Sequence, residues 1–473
     1  MVFSSHIFVF YFLPLALLLY YGSPRGLKHL MLTLVSYVFY GWWNPWFTLL
    51  MLGSTAIDYA CGKMICAEGA TPKQQKTGMM LSVVSNLSIL AFFKYTTFLA
   101  GNISLLAQWL GFGHVALPEF FYNIVLPVGI SFYTFQSMSY SIDLYRGHAV
   151  PAKNFVDFAC YVSMFPQLVA GPIVRYGSVA DQLQEREHTV EGFVAGFTRF
   201  AWGFAKKIIL ANPMGAIADQ CFGAGEGALS APMAWLGVMA YAFRIYYDFS
   251  AYSDMAIGLG RMFGFQFPEN FDSPYKSKSI TEFWRRWHTS LSSFLRDYLY
   301  IPLGGNRKGT GRTYANLLLV MLIGGLWHGS QWTFVVWGAI HGLMLAFERF
   351  MGRDSWYARL PNTGRVALTF VVVLFTWVFF RAENFEVATR YLAAMFGRGG
   401  GADSAAILTG YLLRPANYLY VALCAAICWG VPRSAELLEV ITPAKVVLGI
   451  VLFVFSLGLM FTQGFNPFLY FQF

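Results

Sequence analysis

Two histidines in a hydrophobic chain are the residues whose possible chemistry is easiest to define. His288 ends the run Trp-Arg-Arg-Trp-His, and His328 follows Trp327 in Gly-Gly-Leu-Trp-His-Gly. The run 315–327 before His328 has no charged residue. Burying a titratable imidazole at such a depth is costly, and histidine is the side chain that exchanges a proton near neutral pH. The pattern therefore predicts a membrane enzyme that moves an acyl or proton-linked group.

His328 is the first candidate for a general base. A base needs a neutral imidazole within about 3 Å of the hydroxyl that it deprotonates. The neighbouring glycines, Gly325 and Gly329, let a substrate approach the backbone, which favours a functional role. The alternative is a structural histidine bonded to a backbone carbonyl, and the sequence leaves both open.

Composition places the chain in a membrane. Of its 473 residues, 57% are hydrophobic and 12% are charged, whereas soluble domains carry roughly 25% charged residues. The formal charge of +9 belongs to residues that collect in loops, and no nucleic-acid-binding motif accompanies it. The six cysteines form no Cys-x-x-Cys pair, so we expect small core residues and no metal site. These features predict an all-α integral membrane protein without a nucleic-acid partner.

Apolar runs set the expected membrane segments. A full crossing takes about 20 residues, so the runs predict roughly 11 transmembrane segments. Some runs are short or broken by glycine or proline, as at Leu126–Gly129, which predicts re-entrant helices. No internal repeat is evident, which argues against an inverted-repeat transporter. The runs are 7–22, 29–43, 46–61, 78–99, 121–142, 155–174, 232–263, 314–328, 331–347, 366–381, 417–431 and 445–461.

The early loops predict an orientation. Lysine and arginine follow the first, third and fifth runs, whereas the loops 43–45 and 101–119 contain neither. Basic loops stay in the cytoplasm, so the N-terminus is expected outside. No basic region precedes the first run, which we therefore interpret as a retained span rather than a signal peptide.

An amphipathic stretch occupies residues 192–212. It carries Arg199, Lys206 and Lys207 among aromatic residues. Such a stretch is typical of a helix that lies in the membrane interface.

The segment 269–312 is the longest polar stretch, with eight Lys/Arg and four acidic residues. Helical spacing of apolar residues predicts one helix from about Thr281 to Tyr298, with Arg285 and Arg296 on one face. Guanidinium groups bind phosphates by paired hydrogen bonds. The alternative is anchoring of these cations at lipid headgroups. The candidate phosphate ligands are Lys276, Lys278, Arg285, Arg286 and Arg296.

Two carboxylates interrupt an apolar stretch. Asp248 and Asp254 are about 240° apart on a regular helix, so they do not share a face, and Tyr252 could bond Asp248. Polar contacts between helices are the favoured alternative to a functional role. His341 is expected to be structural, because it lies 13 residues beyond His328 and would point to a different side of one straight helix.

On these residues the chain resembles the membrane-bound O-acyltransferase family. It is most similar to the bacterial branch of alginate O-acetyltransferases and teichoic-acid D-alanyl transfer proteins. The resemblance covers nearly the whole chain, and its motifs together are highly specific. The matching runs are 1–14, 126–147, 165–175, 246–265, 283–309, 324–329, 377–385 and 465–473.

The resemblance implies a fold and roles for residues. Residues 1–473 would form a single membrane domain, a multi-helix bundle with a central tunnel and a catalytic core at about 120–390. His328 falls on the catalytic histidine of the family, and His288 falls on a second polar position that orients the reaction or shares in proton transfer. The residues expected to support the tunnel are Trp327, Asp248, Tyr252 and Asp254.

The resemblance also implies a reaction in the bacterial inner membrane. Acetyl-CoA would be the cytoplasmic donor, and exported partner proteins would complete transfer to a polysaccharide such as alginate or cellulose. One alternative is a D-alanyl or other acyl transferase fed by a carrier protein. Another is a transporter or flippase, in which His328 would gate or relay protons.

Overall fold

The computed structural model describes residues 1–113, 118–225, 227–352, 356–400 and 406–464. Every element in these ranges is a helix, and they contain no β-strand, which confirms the all-α prediction. The terminal run 465–473, which carried part of the family resemblance, lies outside the described residues. The chain divides into two compact units, described separately below.

The first unit comprises Met1–Phe200 and Met255–Pro268. It opens with a π-helix at Phe8–Phe12 and also contains the 3₁₀ turns Arg25–Leu27 and Glu119–Tyr122. Its helices are α1 (Leu13–Gly22), α2 (Lys28–Gly41), α3 (Pro45–Ile65), α4 (Pro72–Trp109), α5 (Ile130–Tyr145), α6 (Phe155–Ser163), α7 (Phe165–Leu168), α8 (Tyr176–Gln184) and the first part of α9 (Val190–Ala205).

Two predicted runs of the first unit are shorter as helices than the sequence indicated. The run 121–142 is helical only from Ile130, because Gly129 adopts φ 77° and a side chain there would lie 2.6 Å from the carbonyl oxygen of Leu168. The run 155–174 breaks at Met164, whose extended backbone separates α6 from the short α7, with Pro166 in the first turn of α7. Proline and left-handed glycine thus set both boundaries.

The second unit comprises Ala201–Asp254 and Glu269–Phe473. It contains π-helices at Lys206–Ala211 and Arg296–Tyr300 and 3₁₀ turns at Pro274–Lys276 and Trp356–Arg359. Its helices are the end of α9, α10 (Asn212–Phe222), most of α11 (Ala231–Met262), α12 (Ile280–Arg286), α13 (Thr289–Leu295), α14 (Thr310–His328), α15 (Trp332–Met351), α16 (Asn362–Arg381), α17 (Phe385–Met395), α18 (Ala406–Leu412), α19 (Pro415–Gly430), α20 (Ser434–Leu437) and α21 (Pro443–Thr462).

Five helices within the described ranges are long and apolar enough to cross a membrane. They are Pro72–Trp109, Trp332–Met351, Asn362–Arg381, the stretch Ala406–Gly430 and Pro443–Thr462. This confirms an integral membrane protein, while the count of roughly 11 segments and the central tunnel stay predictions. All six cysteines are free, and all but Cys66 are buried, as expected for core residues.

The prediction of an interfacial helix at 192–212 is wrong for its two lysines. Lys207 is 2% exposed and pairs with Asp248 of α11 at 2.8 Å. Lys206 pairs with Asp254 of the same helix. Both lysines therefore pair with buried carboxylates within the second unit and do not face lipid headgroups.

Close packing of α14 against α15 positions His328. A side chain at Gly325 would lie 2.3 Å from the carbonyl oxygen of Phe334, and one at Gly338 would lie 2.3 Å from that of Met321. Only glycine permits backbones to approach so closely. The two helices thus form a tight hairpin, and His328 lies at the C-terminal end of α14.

Candidate active site

A break in the predicted 281–298 helix presents His288. Ser279 caps α12, which ends at Arg286, and α13 begins at Thr289. Between them His288 adopts φ 45° and ψ 54°. A left-handed conformation is uncommon in residues other than glycine and is a mark of functional sites. The prediction of one continuous helix, with Arg285 and Arg296 on a common face, is therefore wrong.

Asn270 holds the His288 ring in place. Its Oδ1 lies 3.0 Å from Nδ1 of His288 and accepts a hydrogen bond from Oγ of Ser290 at 2.9 Å. Its Nδ2 donates to Oγ of Ser253 at 3.2 Å, and its carbonyl accepts from the backbone N–H of Thr289 at 3.0 Å. Since Oδ1 only accepts, Nδ1 of His288 carries the proton and Nε2 carries the lone pair.

The Nε2 atom of His288 is buried and has no hydrogen-bond partner in the described part of the chain. His288 is 0% exposed, and burial lowers its pKa to about 3. The ring is consequently neutral near pH 7, which is the form that a base requires. Phe249 of α11 packs edge-on against it, with ring centroids 4.7 Å apart.

His328 lies beside His288. Their ring centroids are 6.5 Å apart, and the indole of Trp327 is 5.9 Å from His288 and 5.1 Å from His328. Trp337 and Phe380 complete an aromatic wall, at 5.3 Å and 5.1 Å from His328. The structure thus brings together the two histidines that the sequence motifs indicated. Trp327, the residue of α14 before His328, packs against both rings.

His341 is a structural residue, as predicted. Its Nδ1 accepts from the indole N–H of Trp284 at 3.2 Å. Its Nε2 therefore carries the proton and faces Oγ1 of Thr376 at 3.1 Å, whose hydroxyl in turn donates to the carbonyl of Val373 at 2.8 Å. Both ring nitrogens are engaged, so this imidazole is not available as a base.

The two carboxylates of α11 form ion pairs with lysines. Asp248 pairs with Lys207, and Asp254 pairs with Lys206 and accepts a hydrogen bond from Oγ of Ser434 at 2.8 Å. This confirms the alternative of polar contacts between helices. The role of these carboxylates and of buried Tyr252 as tunnel supports stays a prediction.

Several of the predicted phosphate-binding cations have partners within the protein. Arg286 pairs with Glu282 at 2.8 Å, and Arg296 pairs with Asp297 at 2.6 Å. Nζ of Lys276 donates to the carbonyl of Val431 at 3.4 Å. The backbone N–H of Lys278 donates to Glu282. Arg286 and Arg296 are each paired with a carboxylate, and the phosphate-binding role of the five cations stays a prediction.

Arg285 is the exception among these cations. It is exposed, and within the described ranges it makes no ion pair or hydrogen bond. It lines a pocket of about 430 Å³ at the start of α12. The other lining residues are Asp272, Ser279, Thr281, Glu282 and Arg286. Its guanidinium is thus available for an anion.

A second pocket lies next to His328. It measures about 370 Å³, within the range of small-molecule sites. Phe380 lines it and also contacts the His328 ring. Its lining residues are Gly329, Ser330, Gln331, Phe334, Phe380, Arg381, Ala382 and Glu383. We call it the Arg381 pocket.

Sequence reasoning missed several site residues. The hydrogen-bond network behind His288 consists of Asn270, Ser290 and Ser253. All three are uncharged, and they are spread over the sequence. No spacing rule identifies an asparagine in a turn as the partner of a histidine further along the chain. Arg381 carries a signal in the sequence, since it ends an apolar run within the motif 377–385.

Comparisons with known proteins identify the family of the chain. The model of the membrane-bound O-acyltransferase family matches residues 81–385. A probable alginate O-acetylase of Pseudomonas putida is 46% identical over the whole of both chains. A peptidoglycan O-acetyltransferase of Helicobacter pylori is 35% identical, over 85% of this chain and 80% of its own. A teichoic acid D-alanyltransferase of Streptococcus thermophilus is 30% identical, over 48% of this chain and 57% of its own.

The family model spans more than half of the chain and includes both histidines. The relative from Pseudomonas putida aligns with it from end to end. The protein is therefore an acyltransferase that belongs to the membrane-bound O-acyltransferase family.

Proposed function

We propose that this protein is an O-acetyltransferase of the bacterial inner membrane that takes acetyl groups from cytoplasmic acetyl-CoA and passes them towards an exported polysaccharide. Exported partner proteins complete the transfer, and the N-terminus lies on the periplasmic side. The relatives named for acetyl transfer to alginate and to peptidoglycan support the acetyl group and the polymer class.

The observation that carries this proposal is the pair His288 and His328, whose rings lie 6.5 Å apart in an aromatic enclosure. At this distance one reacting group can contact the edges of both imidazoles. Asn270 fixes His288 as the tautomer with a basic Nε2. The neutral imidazole of His288 and the buried imidazole of His328 provide the acid–base chemistry that acyl transfer needs.

The transfer would proceed by attack of an acceptor hydroxyl on the thioester carbonyl. His328 removes the hydroxyl proton as the oxygen bonds to the carbonyl carbon. The carbon–sulfur bond then breaks, and the leaving thiolate takes up the proton that His328 received. His288 supports the reaction from the opposite side, by orienting the acceptor or by sharing the proton.

The exposed guanidinium of Arg285 supports a phosphate-bearing donor. It lies at the pocket at the start of α12, and the guanidinium geometry matches phosphate oxygens. Trp284, the residue before Arg285, contacts His341 and Trp337, which packs against His328. The donor's phosphates at Arg285 would thus be connected to the histidines through one short helix.

Two other functions remain distinguishable from this one. A D-alanyl transferase fed by a carrier protein has a relative in its favour, but that alignment covers 48% of this chain, against all of it for the alginate O-acetylase. A transporter or flippase would move a substrate without making or breaking a covalent bond. Acetyl transfer by the purified protein separates all three.

The test is acetyl transfer from radiolabelled acetyl-CoA by protein purified in detergent with its exported partners. The wild type should release CoA and transfer label, and His328→Ala should abolish both. His288→Ala should lower the rate by about 10²–10⁴-fold, the range of acid–base catalysis. His341→Ala is the matched control, since it removes another buried imidazole but should keep turnover per folded molecule.

The outcomes discriminate between the candidates. Turnover retained by His328→Ala would refute its catalytic role. A wild type that is inactive with acetyl-CoA but active with a loaded carrier protein would favour the carrier-fed transferase. Movement of an acyl donor across vesicles by the wild type, without any thioester cleavage, would favour the transporter.

A further inference from the structure

The indole of Trp337 forms one wall of the His328 site. Trp337 lies on α15 and is 0% exposed. Its ring is nearly perpendicular to the His328 imidazole, at 89° with ring centroids 5.3 Å apart. Phe380 contacts both rings, at 5.0 Å from Trp337 and 5.1 Å from His328. A group that reacts at the His328 ring therefore lies next to this indole.

The indole N–H of Trp337 is a buried donor without a hydrogen-bond partner in the described part of the chain. Two tryptophans of the same aromatic cluster have partners for theirs. Trp284 donates to Nδ1 of His341 at 3.2 Å, and the N–H of Trp377 donates to a tyrosine hydroxyl, that of Tyr275, at 3.1 Å. Leaving a buried donor unsatisfied is costly, and native structures seldom do so without a ligand or water. An indole N–H only donates, so the missing partner is an acceptor atom.

Thr333 has the same feature one helical turn earlier on α15. It precedes Trp337 by four residues, so the two side chains lie on the same face of the helix. The Thr333 side chain is 1% exposed, and its hydroxyl has no hydrogen-bond partner among the residues that the structure describes. Thr333 also lies in the first turn of α15, five residues after His328. The face of α15 that contacts His328 therefore carries two unsatisfied donors.

Donors of this kind match one atom of an acyl donor, its carbonyl oxygen. When a hydroxyl attacks a thioester, negative charge develops on that oxygen, and donors that are already held in place stabilise it. The unpartnered Nε2 of His288 is by contrast an acceptor, because Nδ1 carries the proton. The site thus offers a lone pair to the attacking hydroxyl, and N–H and O–H groups to the carbonyl oxygen.

We propose that the indole N–H of Trp337 donates a hydrogen bond to the carbonyl oxygen of the acyl donor during transfer, with the Thr333 hydroxyl as a second donor. The inference rests on the proposed acyl transfer and adds two catalytic residues to it. As the hydroxyl oxygen bonds to the carbonyl carbon, an electron pair of the C=O double bond moves onto the carbonyl oxygen, where the two donors stabilise it. The pair returns when the carbon–sulfur bond breaks, and Trp337 and Thr333 keep their protons throughout.

The first test compares two tryptophan variants in acetyl transfer from acetyl-CoA by the purified protein with its exported partners. Trp337→Phe keeps an aromatic ring and removes the N–H, so kcat should fall by about 10²–10³-fold, the effect of losing one donor to such an oxygen. KM should change little, because the bond strengthens only as charge develops. Trp377→Phe is the matched control, since its ring stacks on Trp337 with centroids 6.1 Å apart and its N–H already has a partner. It should keep the kcat of the wild type per folded molecule.

Substitutions of Thr333 test the second donor. Thr333→Val keeps nearly the same shape and removes the hydroxyl, so kcat should fall by about tenfold, the loss of one ordinary hydrogen bond. Thr333→Ser retains the hydroxyl and should keep most of the rate. If Thr333 acted by packing alone, the order would reverse, because Thr333→Ser loses a methyl group and Thr333→Val does not.

An infrared measurement detects the hydrogen bond without catalysis. The probe is the ketone analogue of acetyl-CoA, in which a methylene group replaces the sulfur, so that its carbonyl carries no leaving group. A hydrogen bond to a carbonyl oxygen lowers its stretching frequency. The band of the bound probe, identified by ¹³C at the carbonyl, should therefore lie lower in the wild type and in Trp377→Phe than in Trp337→Phe. Thermal unfolding of each variant verifies the fold, and the Thr333 variants still test the site if Trp337→Phe does not fold.

Three results would overturn the assignment. The first is a kcat of Trp337→Phe equal to that of the wild type. The second is a rise in KM alone, which would mean that the indole binds the donor without stabilising the developing charge. The third is an equal carbonyl band in the wild type and Trp337→Phe, which would leave a structural water as the partner of the N–H. Each of these, with thioester cleavage by the wild type, refutes this inference alone, whereas a wild type that cleaves no thioester refutes the proposed function as well.

Discussion

The Nδ1 atom of His288 lies 3.0 Å from Oδ1 of Asn270, a residue of the loop between α11 and the 3₁₀ turn Pro274–Lys276. The same oxygen accepts a hydrogen bond from Ser290, which follows His288 by two residues. Two donors thus converge on one amide oxygen, and His288 needs its left-handed backbone to take part. Asn270 is therefore a positioning residue for the imidazole.

Asn270→Ala should lower acyl transfer by about 10–100-fold, a part of the 10²–10⁴-fold that acid–base catalysis contributes. The reason is that His288 loses the acceptor that fixes its orientation and tautomer. Asn270→Asp retains an acceptor for Nδ1–H and should recover much of the rate, with an altered pH–rate profile because a carboxylate favours the protonated imidazole. Thioester turnover measured from pH 5 to pH 9 checks both variants.

A merely structural role for Asn270 gives a different result. Both variants would then lower the yield of folded protein while turnover per folded molecule and the pH–rate profile stayed as in the wild type. Ser253→Ala is the matched control, since it removes the partner of Asn270 Nδ2 but leaves the contact to His288 intact. Its rate should fall by less than that of Asn270→Ala.

Burial of His288 predicts a stability that decreases in acid. Its pKa falls from an ordinary 6.5 to about 3 in the folded chain. Above pH 6.5 neither state binds the proton, so the stability is complete. Below pH 6.5 the unfolded chain binds a proton that the folded chain refuses, and stability falls by about 1.4 kcal/mol per pH unit until the folded pKa is reached.

The measurement is thermal unfolding of the wild type and of His288→Gln in detergent from pH 8 to pH 5. The wild type should lose about 2 kcal/mol more than the variant between pH 6.5 and pH 5. If the free energy of unfolding changes equally with pH in the two proteins, the His288 imidazole has the same pKa in the folded and the unfolded chain. The same burial implies that His288 stays neutral across the working range, so an inflection in the rate between pH 6 and pH 7 belongs to another group.

The sequence predicted the helices well because long apolar runs must form helices in a membrane. Helices occupy most of the predicted runs, with breaks at Gly129 and Met164, and the rings of His288 and His328 lie 6.5 Å apart. The prediction of one helix over 281–298 was wrong, because a single non-glycine residue, His288, interrupts the helix with a left-handed backbone. Hydrophobic periodicity reports the spacing of apolar side chains. It carries no information on a single residue whose backbone is left-handed and whose side chain is held by a residue of another loop.

The prediction for the lysines of the stretch 192–212 was wrong for a related reason. Their spacing suits an interfacial helix, but Lys206 and Lys207 find carboxylates on α11. Helical spacing places Asp248 and Asp254 on different faces of one helix. Their lysine partners are distant along the chain, because the helix α10 lies between them and α11. Contacts of this kind depend on packing, which hydrophobic patterns predict only in outline.

Gly329→Ala should disturb the Arg381 pocket. A Cβ at this position would lie 2.1 Å from Cε2 of Phe334, so the aromatic ring or the backbone after His328 must move. Such overpacking costs about 1–3 kcal/mol. Since Phe334 lines the pocket, transfer should fall as well. Turnover per folded molecule and thermal unfolding measure the two effects.

Gly311→Ala is the control for this substitution. Gly311 lies on the same helix, α14, and a Cβ there would meet no atom within 4 Å. Its stability should stay equal or rise slightly, because alanine is the better helix former. A loss of transfer as large as that in Gly329→Ala would contradict the contact with Phe334 as the cause.

The buried pair Lys207–Asp248 predicts an asymmetry between single and double substitutions. Lys207→Met leaves the Asp248 carboxylate buried without its cation and should cost about 3–5 kcal/mol, whereas combining it with Asp248→Leu should recover most of that loss. Arg296→Met, at a pair whose arginine is 63% exposed, should cost at most about 1 kcal/mol. Chemical unfolding in detergent compares the three. A double variant as unstable as Lys207→Met would mean that the lysine stabilises this helix by packing rather than by its charge.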